Sequence, residues 1–300
     1  MSFDEVKTKW RNYRNKRLQN KTQFTRSVNR SKGGDVGIFI LLAIVALIMV
    51  LPMVYAICQS LKPLDELFVF PPRFFVVNPT FKNYRDLFSL INNSWVPFSR
   101  YIFNTVFISL AGTFGNVLFA SYAAYALAKI KFPGRKFLFS VVVYSLMFNS
   151  TVTGITNFIT MSALGWVDTY LAVIVPSWCY TFGLYLMKQF METSVNDSVL
   201  ESARQNLIFW KIAMPMVKPA WITLIIFVFK DLWNMGSSMY IYSEQLKTFN
   251  YAISQLVTAG IARSGVSAAA TVIMMIVPIT VFVITQSNVI TTMSASGMKD

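Results

Sequence analysis

Apolar positions in this chain gather in long runs with few or no charges, separated by shorter polar and basic stretches. A helix that crosses a bilayer core needs about 20 mainly apolar residues. Six runs are of that order, at about 36–58, 101–127, 137–164, 169–187, 215–233 and 266–287. The first is uncharged and follows a polar, basic stretch of 35 residues. It is too long for the apolar core of a signal peptide and predicts a membrane helix. The third is uncharged but interrupted by Asn149, Ser150, Thr151, Thr153, Gly154 and Asn157. Those residues leave its far end open between a helix and an unwound or re-entrant segment. The pattern predicts an all-α membrane protein with six transmembrane helices in a single domain over 36–290, flanked by tails at 1–35 and 291–300.

Six spans put both termini on one side. If the amino terminus is cytoplasmic, nineteen of the 27 Lys and Arg residues fall on the cytoplasmic side and eight on the other. The short loop Lys129-Ile-Lys-Phe-Pro-Gly-Arg-Lys136 is basic, whereas 165–168 has no Lys or Arg. Short cytoplasmic loops carry the basic excess, so both ends are expected in the cytoplasm. In the amino-terminal tail Val6, Trp10 and Tyr13 recur at helical spacing among cations. That pattern fits an interfacial helix on an anionic leaflet and a disordered orienting tail equally well. A nucleic-acid role is disfavoured because the tail abuts a span.

Composition narrows the class further. Of 300 residues 55% are hydrophobic and only 13% are charged, against about 25% in a typical soluble domain. The formal net charge is +14, which the basic loops account for. There is no histidine and no Gly-Lys-Ser or Gly-Lys-Thr. Imidazole catalysis and a Walker nucleotide site are therefore excluded. Cys58 and Cys179 lie in apolar stretches and read as buried small residues, not as a disulfide or metal site. No catalytic residue, metal site or cofactor of this chain's own is expected. Within the spans the ionisable pair is Lys230-Asp231, near the end of the fifth. It is expected to pair with itself or to extend outward. Ion-driven carriers commonly embed ionisable residues, so an ion-coupled secondary transporter is the weaker alternative, and a non-transporting scaffold weaker still. A transporter with neither an ion relay nor a nucleotide site must take its energy from another subunit.

The longest cytoplasmic loop, 188–214, contains Glu201-Ser202-Ala203-Arg204 and then Ile212-Ala-Met214-Pro215 entering the fifth span. Here the chain resembles the permease subunits of carbohydrate-type bacterial ABC importers, the maltose-type inner permease family. Their loop carries Glu-Ala-Ala, a later Gly, and Ile-x-Leu-Pro. Further landmarks agree in order: Asn83-Tyr84, Leu87-Phe88, Ala123-Ala-Tyr-Ala-Leu-Ala-Lys129, Phe132-Pro-Gly-Arg135, Leu164-Gly-Trp-Val-Asp-Thr-Tyr170 and Trp233-Asn234. The resemblance covers nearly everything from about residue 36 onward.

The resemblance implies a type I ABC importer permease fold in the bacterial inner membrane. It implies three kinds of component besides this chain: a second permease subunit, usually a different chain, two cytoplasmic ATPase subunits that hold ATP and Mg, and an extracytoplasmic substrate-binding protein. It also implies that Glu201, Ser202, Ala203, Arg204, Asn206, Ile212 and Pro215 form the loop that couples to an ATPase. One departure stands out. The 14 positions from Glu201 to Pro215 are about five fewer than in the family pattern, and no Gly occurs between Gly183 and Gly236. A shortened coupling element is expected, with Asn206 able to supply the left-handed turn that Gly would supply.

For the substrate path, sugar recognition calls for aromatic faces and for amides or hydroxyls. Candidates are Asn104, Asn149, Asn157, Trp178, Tyr180, Trp233 and Asn234, with Asn116, Tyr122 and Ser150 beside them. Polar residues in spans also serve as glue between helices, and spacing does not distinguish the two roles.

Overall fold

The computed structural model describes residues 32–92, 96–148, 150–195, 209–236, 239–258, 260 and 263–296. The chain forms two compact units, 1–54 and 55–300. The described part of the first is residues 32–54 of helix α1 (Lys32–Leu61). Its apolar side chains are exposed, Phe39 at 72% and Met49 at 76%. A helix that is hydrophobic all round suits surroundings of lipid or other helices.

The second unit is helical throughout its described residues. After the end of α1 come α2 (Leu64–Leu67), α3 (Lys82–Asn92), α4 (Phe98–Lys129), α5 (Arg135–Ser145), α6 (Ser150–Ala163), α7 (Leu171–Trp178) and α8 (Thr181–Ser194). A π-helical turn (Phe209–Ala213) and the short α9 (Met214–Met216) lead into α10 (Lys218–Trp233). A 3₁₀ turn (Glu244–Leu246), α11 (Phe249–Thr258) and α12 (Ser264–Ser296) complete it.

Helix α4 is the centre, packed by α8, α10 and α7, while α12 packs on α10. Small residues let the helices approach closely. A Cβ on Gly115 would run into the Trp178 indole, and one on Gly112 into Leu232. Ile108, Ala120 and Ala124 of α4 are buried in one core with Met187, Met191, Leu224 and Val228. A second core joins Phe229 and Trp233 to Leu87, Ala269, Ala270 and Met274.

Among the described residues four helices are long and apolar enough to cross a membrane: Gly33–Leu61, Ser99–Lys129, Leu171–Ser194 and Ser264–Gln286. The pair Phe209–Met216 and Lys218–Trp233, bent by 76°, makes a fifth if it is one span. The expectation of six continuous helices needs correction at the third and fourth runs, the fourth (169–187) being broken at Cys179–Tyr180. The third run, 137–164, is not one helix but α5 and α6, with α5 ending before 146–148. Helix α5 tapers through short-range bonds, with the amides of Leu146, Met147 and Phe148 donating to the carbonyls of Val143, Tyr144 and Ser145. The polar residues that follow do not restore the apolar run.

Candidate functional site

Two interrupted helices face one another. The first break, at 146–148, follows α5. The second lies between α7 and α8, where Cys179 and Tyr180 leave helical geometry, Tyr180 with φ −67° and ψ 101°. Pro176 within α7 has no N–H to give the helical ladder. The break frees carbonyls, and backbone groups freed at membrane depth must find partners. The Asn116 side-chain amide of α4 donates to the carbonyls of Ser177 at 2.7 Å and Trp178 at 3.3 Å. The Trp178 indole N–H donates to the Ala111 carbonyl at 3.2 Å.

Between the breaks lies a groove of about 700 Å³. It is lined by Ser145, Leu146 and Phe148 from the first, by Asn157 and Met161 of α6, and by 175–177 and 179–182 around the second. A smaller cavity of about 310 Å³ shares Ser145, Cys179, Tyr180 and Thr181 with it and reaches Phe119 and Trp178. Among the described residues no charged side chain lines either one. Non-helical backbone inside a membrane is tolerated where it lines a protein-walled or wet cavity.

The register of α8 against α10 places one charge beside the groove. Gly183 packs on Leu224, and the rings of Phe182 and Phe227 meet at 5.9 Å. The helices run antiparallel, so one turn beyond Phe227 brings Asp231 level with the Cys179–Tyr180 break, on the face of α10 that carries Phe227. The Asp231 carboxylate lies within electrostatic range of the Tyr180 phenol. Lys230 and Asp231 are both exposed, and among the described residues no ion pair joins them. Successive helical positions point about 100° apart and do not face each other, so the expected mutual pair is absent.

The segments expected on the outer side meet in a hydrogen-bonded clasp. Asp168, in left-handed geometry at φ 60°, accepts the amides of Tyr242 at 2.9 Å and Ser243 at 2.8 Å, and the Ser243 hydroxyl as well. The Ser243 hydroxyl and amide are the main cause holding the Asp168 carboxyl below its usual pKa. The Asn104 side-chain amide donates to the carbonyls of Gln245 and Lys247, both at 2.8 Å, and its oxygen accepts the Tyr170 hydroxyl at 2.7 Å. Burial works against the Lys247 ammonium, but hydrogen bonds to Tyr251 and Glu244 outweigh it and hold the pKa above the ordinary lysine value. Nearby, Lys62 is buried and donates to the Arg73 carbonyl. Asn83 donates to the carbonyls of Ser60 at 2.9 Å and Lys62 at 2.7 Å.

At the opposite end Glu192 pairs with Lys188 at 2.7 Å and with Arg135 at 3.9 Å. The Phe209 ring stacks on Tyr122 of α4 with centroids 4.5 Å apart. Ala213 and Val217 flank the bend and are fully buried. Ile212 is half-buried and Pro215 exposed. Glu201, Ser202, Ala203, Arg204 and Asn206 lie outside the described residues.

The candidate path residues thus separate. Asn157 and Tyr180 line the groove, and Trp178 lines the adjoining cavity. Asn104 is fully buried in the clasp. Trp233 is buried and donates to the Met274 carbonyl at 3.1 Å. Asn234 donates to the Lys230 carbonyl at 2.9 Å, and its own carbonyl accepts Asn250. Asn149 lies outside the described residues. Sequence reasoning missed Ser177 and Thr181, and the expectation that Cys179 is a buried small residue is overturned, since it is exposed in the groove wall. Pro176, one helical turn before the break, was the available signal.

These features define a helical membrane protein built for transport. No protein-family model matches the chain. The polygalacturonan/rhamnogalacturonan transport system permease protein YtcP of Bacillus subtilis is 30% identical over 217 residues, 69% of this chain and 72% of YtcP. Protein LplC of the same organism is 29% identical over 220 residues, 69% of this chain and 70% of LplC. The galactooligosaccharides transport system permease protein GanQ, also from B. subtilis, is 25% identical over 278 residues, 87% of this chain and 94% of GanQ. A solved structure of a bacterial ABC transporter involved in the import of the acidic polysaccharide alginate includes a chain with the same fold. Its TM-score is 0.73 at 23% identity, covering 86% of this chain and 98% of that one. The chain belongs to the family of carbohydrate-type ABC transport permeases: it is a membrane-embedded transport subunit, and its relatives are permeases, not enzymes.

Proposed function

We propose that this permease subunit moves a sugar or oligosaccharide inward by alternating access, through a path of which the groove at the two helix breaks forms this chain's share. A second permease, usually a different chain, would complete the path. A binding protein outside would deliver the sugar, and two cytoplasmic ATPases holding ATP and Mg would drive the cycle. The observation that carries the reading is the pair of facing breaks with hydroxyl, amide and phenol groups along them. Such groups recognise sugars, and broken helices give a path two discrete arrangements.

The mechanical route follows from the packing. The loop at 188–214 begins in α8 and ends in the π turn and α9. A push on that loop reaches α10 through the 76° bend, and α4 through the stack of Phe209 on Tyr122. Helix α8 lines the groove and α10 packs on α8, so a push at one end changes its walls. In sequence the loop is short for the family and holds no Gly.

The test is capture of the tagged chain in gentle detergent, probed for a co-purifying ATPase, beside Glu201→Ala. The proposal predicts an ATPase with the unaltered chain and at least about tenfold less with Glu201→Ala. No ATPase with the unaltered chain would sink the importer reading. Equal recovery with both would move the contact away from Glu201.

A further inference from the structure

Resting on the reading of the groove as the sugar path, we infer that Asp231 sets the charge preference of that path and that its substrates are uncharged, not acidic, sugars. The names of the relatives span an acidic polymer, polygalacturonan, and galactooligosaccharides. Charge is therefore a property along which these permeases differ.

Three observations carry the inference. Among the described residues the groove has no Lys or Arg in its lining, so none of them neutralises a carboxylate or phosphate on a passing sugar. What it offers is neutral: the amide of Asn157, the hydroxyls of Ser177 and Thr181, and the phenol of Tyr180. The third is Asp231, level with the Cys179–Tyr180 break through the contacts of Gly183 with Leu224 and of Phe182 with Phe227. It has no ion-pair partner among the described residues. Lys230 points about 100° round the helix, on a different face from Asp231.

A carboxylate beside a groove acts on what passes through it over roughly a Debye length, about 8 Å. It repels an anion that must pass and accepts hydrogen bonds from sugar hydroxyls, which charge strengthens. Asp231 is thus a specificity-determining residue.

Cys179 reports the local field, since it is exposed in the groove wall. In the assembled transporter, with Cys58→Ser leaving Cys179 as this chain's only thiol, modification of the chain is timed with two methanethiosulfonates. One carries a trimethylammonium group and the other a sulfonate, and each rate is divided by its rate on a small free thiol. The inference predicts that the cationic reagent is favoured about tenfold and that Asp231→Asn brings the ratio to within about twofold of one. A ratio near one with Asp231 present, or one that Asp231→Asn leaves unchanged, overturns it.

Protection gives a second reading. A neutral galactooligosaccharide should slow the modification at concentrations where a galacturonate oligomer of equal length does not, and Asp231→Asn should narrow that gap. Equal protection by both sugars before the substitution also overturns the inference. If neither reagent modifies Cys179 in the assembled transporter, while both modify it in the unfolded chain, the groove is not an aqueous path. That result removes the path reading itself, and is distinct from a flat charge ratio.

Discussion

At Asp168 one carboxylate joins two distant stretches of chain by accepting three hydrogen bonds from Tyr242 and Ser243. Its pKa is lowered, so its stabilisation is fully present above the unfolded value of about 3.9. It is lost as pH falls through the lower folded value. Lys247 has a raised pKa, so its contribution is present below about 10.4, the unfolded value, and is lost at higher pH. Both groups keep their charge from about pH 5 to 9. Asp168→Asn keeps a residue that tolerates positive φ and removes only the charge. It should cost about 1 kcal/mol, because solvent reaches the site and weakens charge-assisted bonds there. Thermal unfolding from pH 8 to 3 should show a difference from the unaltered protein that is constant down to about pH 5 and fades below about pH 4. A difference that grows on acidification would contradict the clasp.

Gly115 is a second residue with a defined outcome, because no Cβ fits between α4 and the Trp178 indole. Gly115→Ala should displace Trp178 and weaken its bond to Ala111, costing about 1–3 kcal/mol by overpacking. The corresponding drop in midpoint would appear in thermal unfolding of the detergent-solubilised chain. An unchanged midpoint would show that α7 shifts freely.

At the scale of elements, α1, α4 and α12 were legible in the sequence because an uncharged run of more than 20 residues has few other places to go. The break in the third run was foreshadowed by Asn149, Ser150 and Asn157, although the continuous span drawn over 137–164 was an overreach. The break at 179–180 was hidden, since Trp178, Cys179 and Tyr180 are as apolar as their flanks, and Pro176 is tolerated within membrane helices. Of the two expectations for Lys230 and Asp231, mutual pairing or outward extension, the exposure of both fits the second, and no ion pair joins them among the described residues. The 76° bend before α10 is the element that the proposed motion uses. Tyr122→Ala removes the stack on Phe209 and should loosen α4 from the coupling end. In the assembled transporter, sugar uptake should fall by about tenfold while ATP hydrolysis falls by less than about twofold. Equal losses of both would indicate a failure of assembly.

At the scale of the whole molecule, the class of protein was written in its hydropathy and charge bias, and the family in the ordered landmarks from Asn83 to Asn234. The path was only half legible. Spacing cannot separate an Asn that caps a broken helix, as Asn116 does, from one that faces a groove, as Asn157 does. Both are amides in apolar runs, and the distinction comes from which backbone carbonyls the fold leaves free. Nor does any sequence pattern bring Cys179 and Asp231 to the same level, since that depends on the register of α8 against α10.

The central claim is that this chain is the sugar-conducting part of a machine powered by ATP hydrolysis on other chains. The direct measurement is oligosaccharide uptake by proteoliposomes holding the chain with its partner permease and ATPases, with the binding protein outside and ATP inside. The account predicts uptake that requires ATP and this chain and continues when ionophores collapse every ion gradient. Uptake that proceeds without ATP and stops with the ion gradient would contradict it and make the chain a secondary carrier.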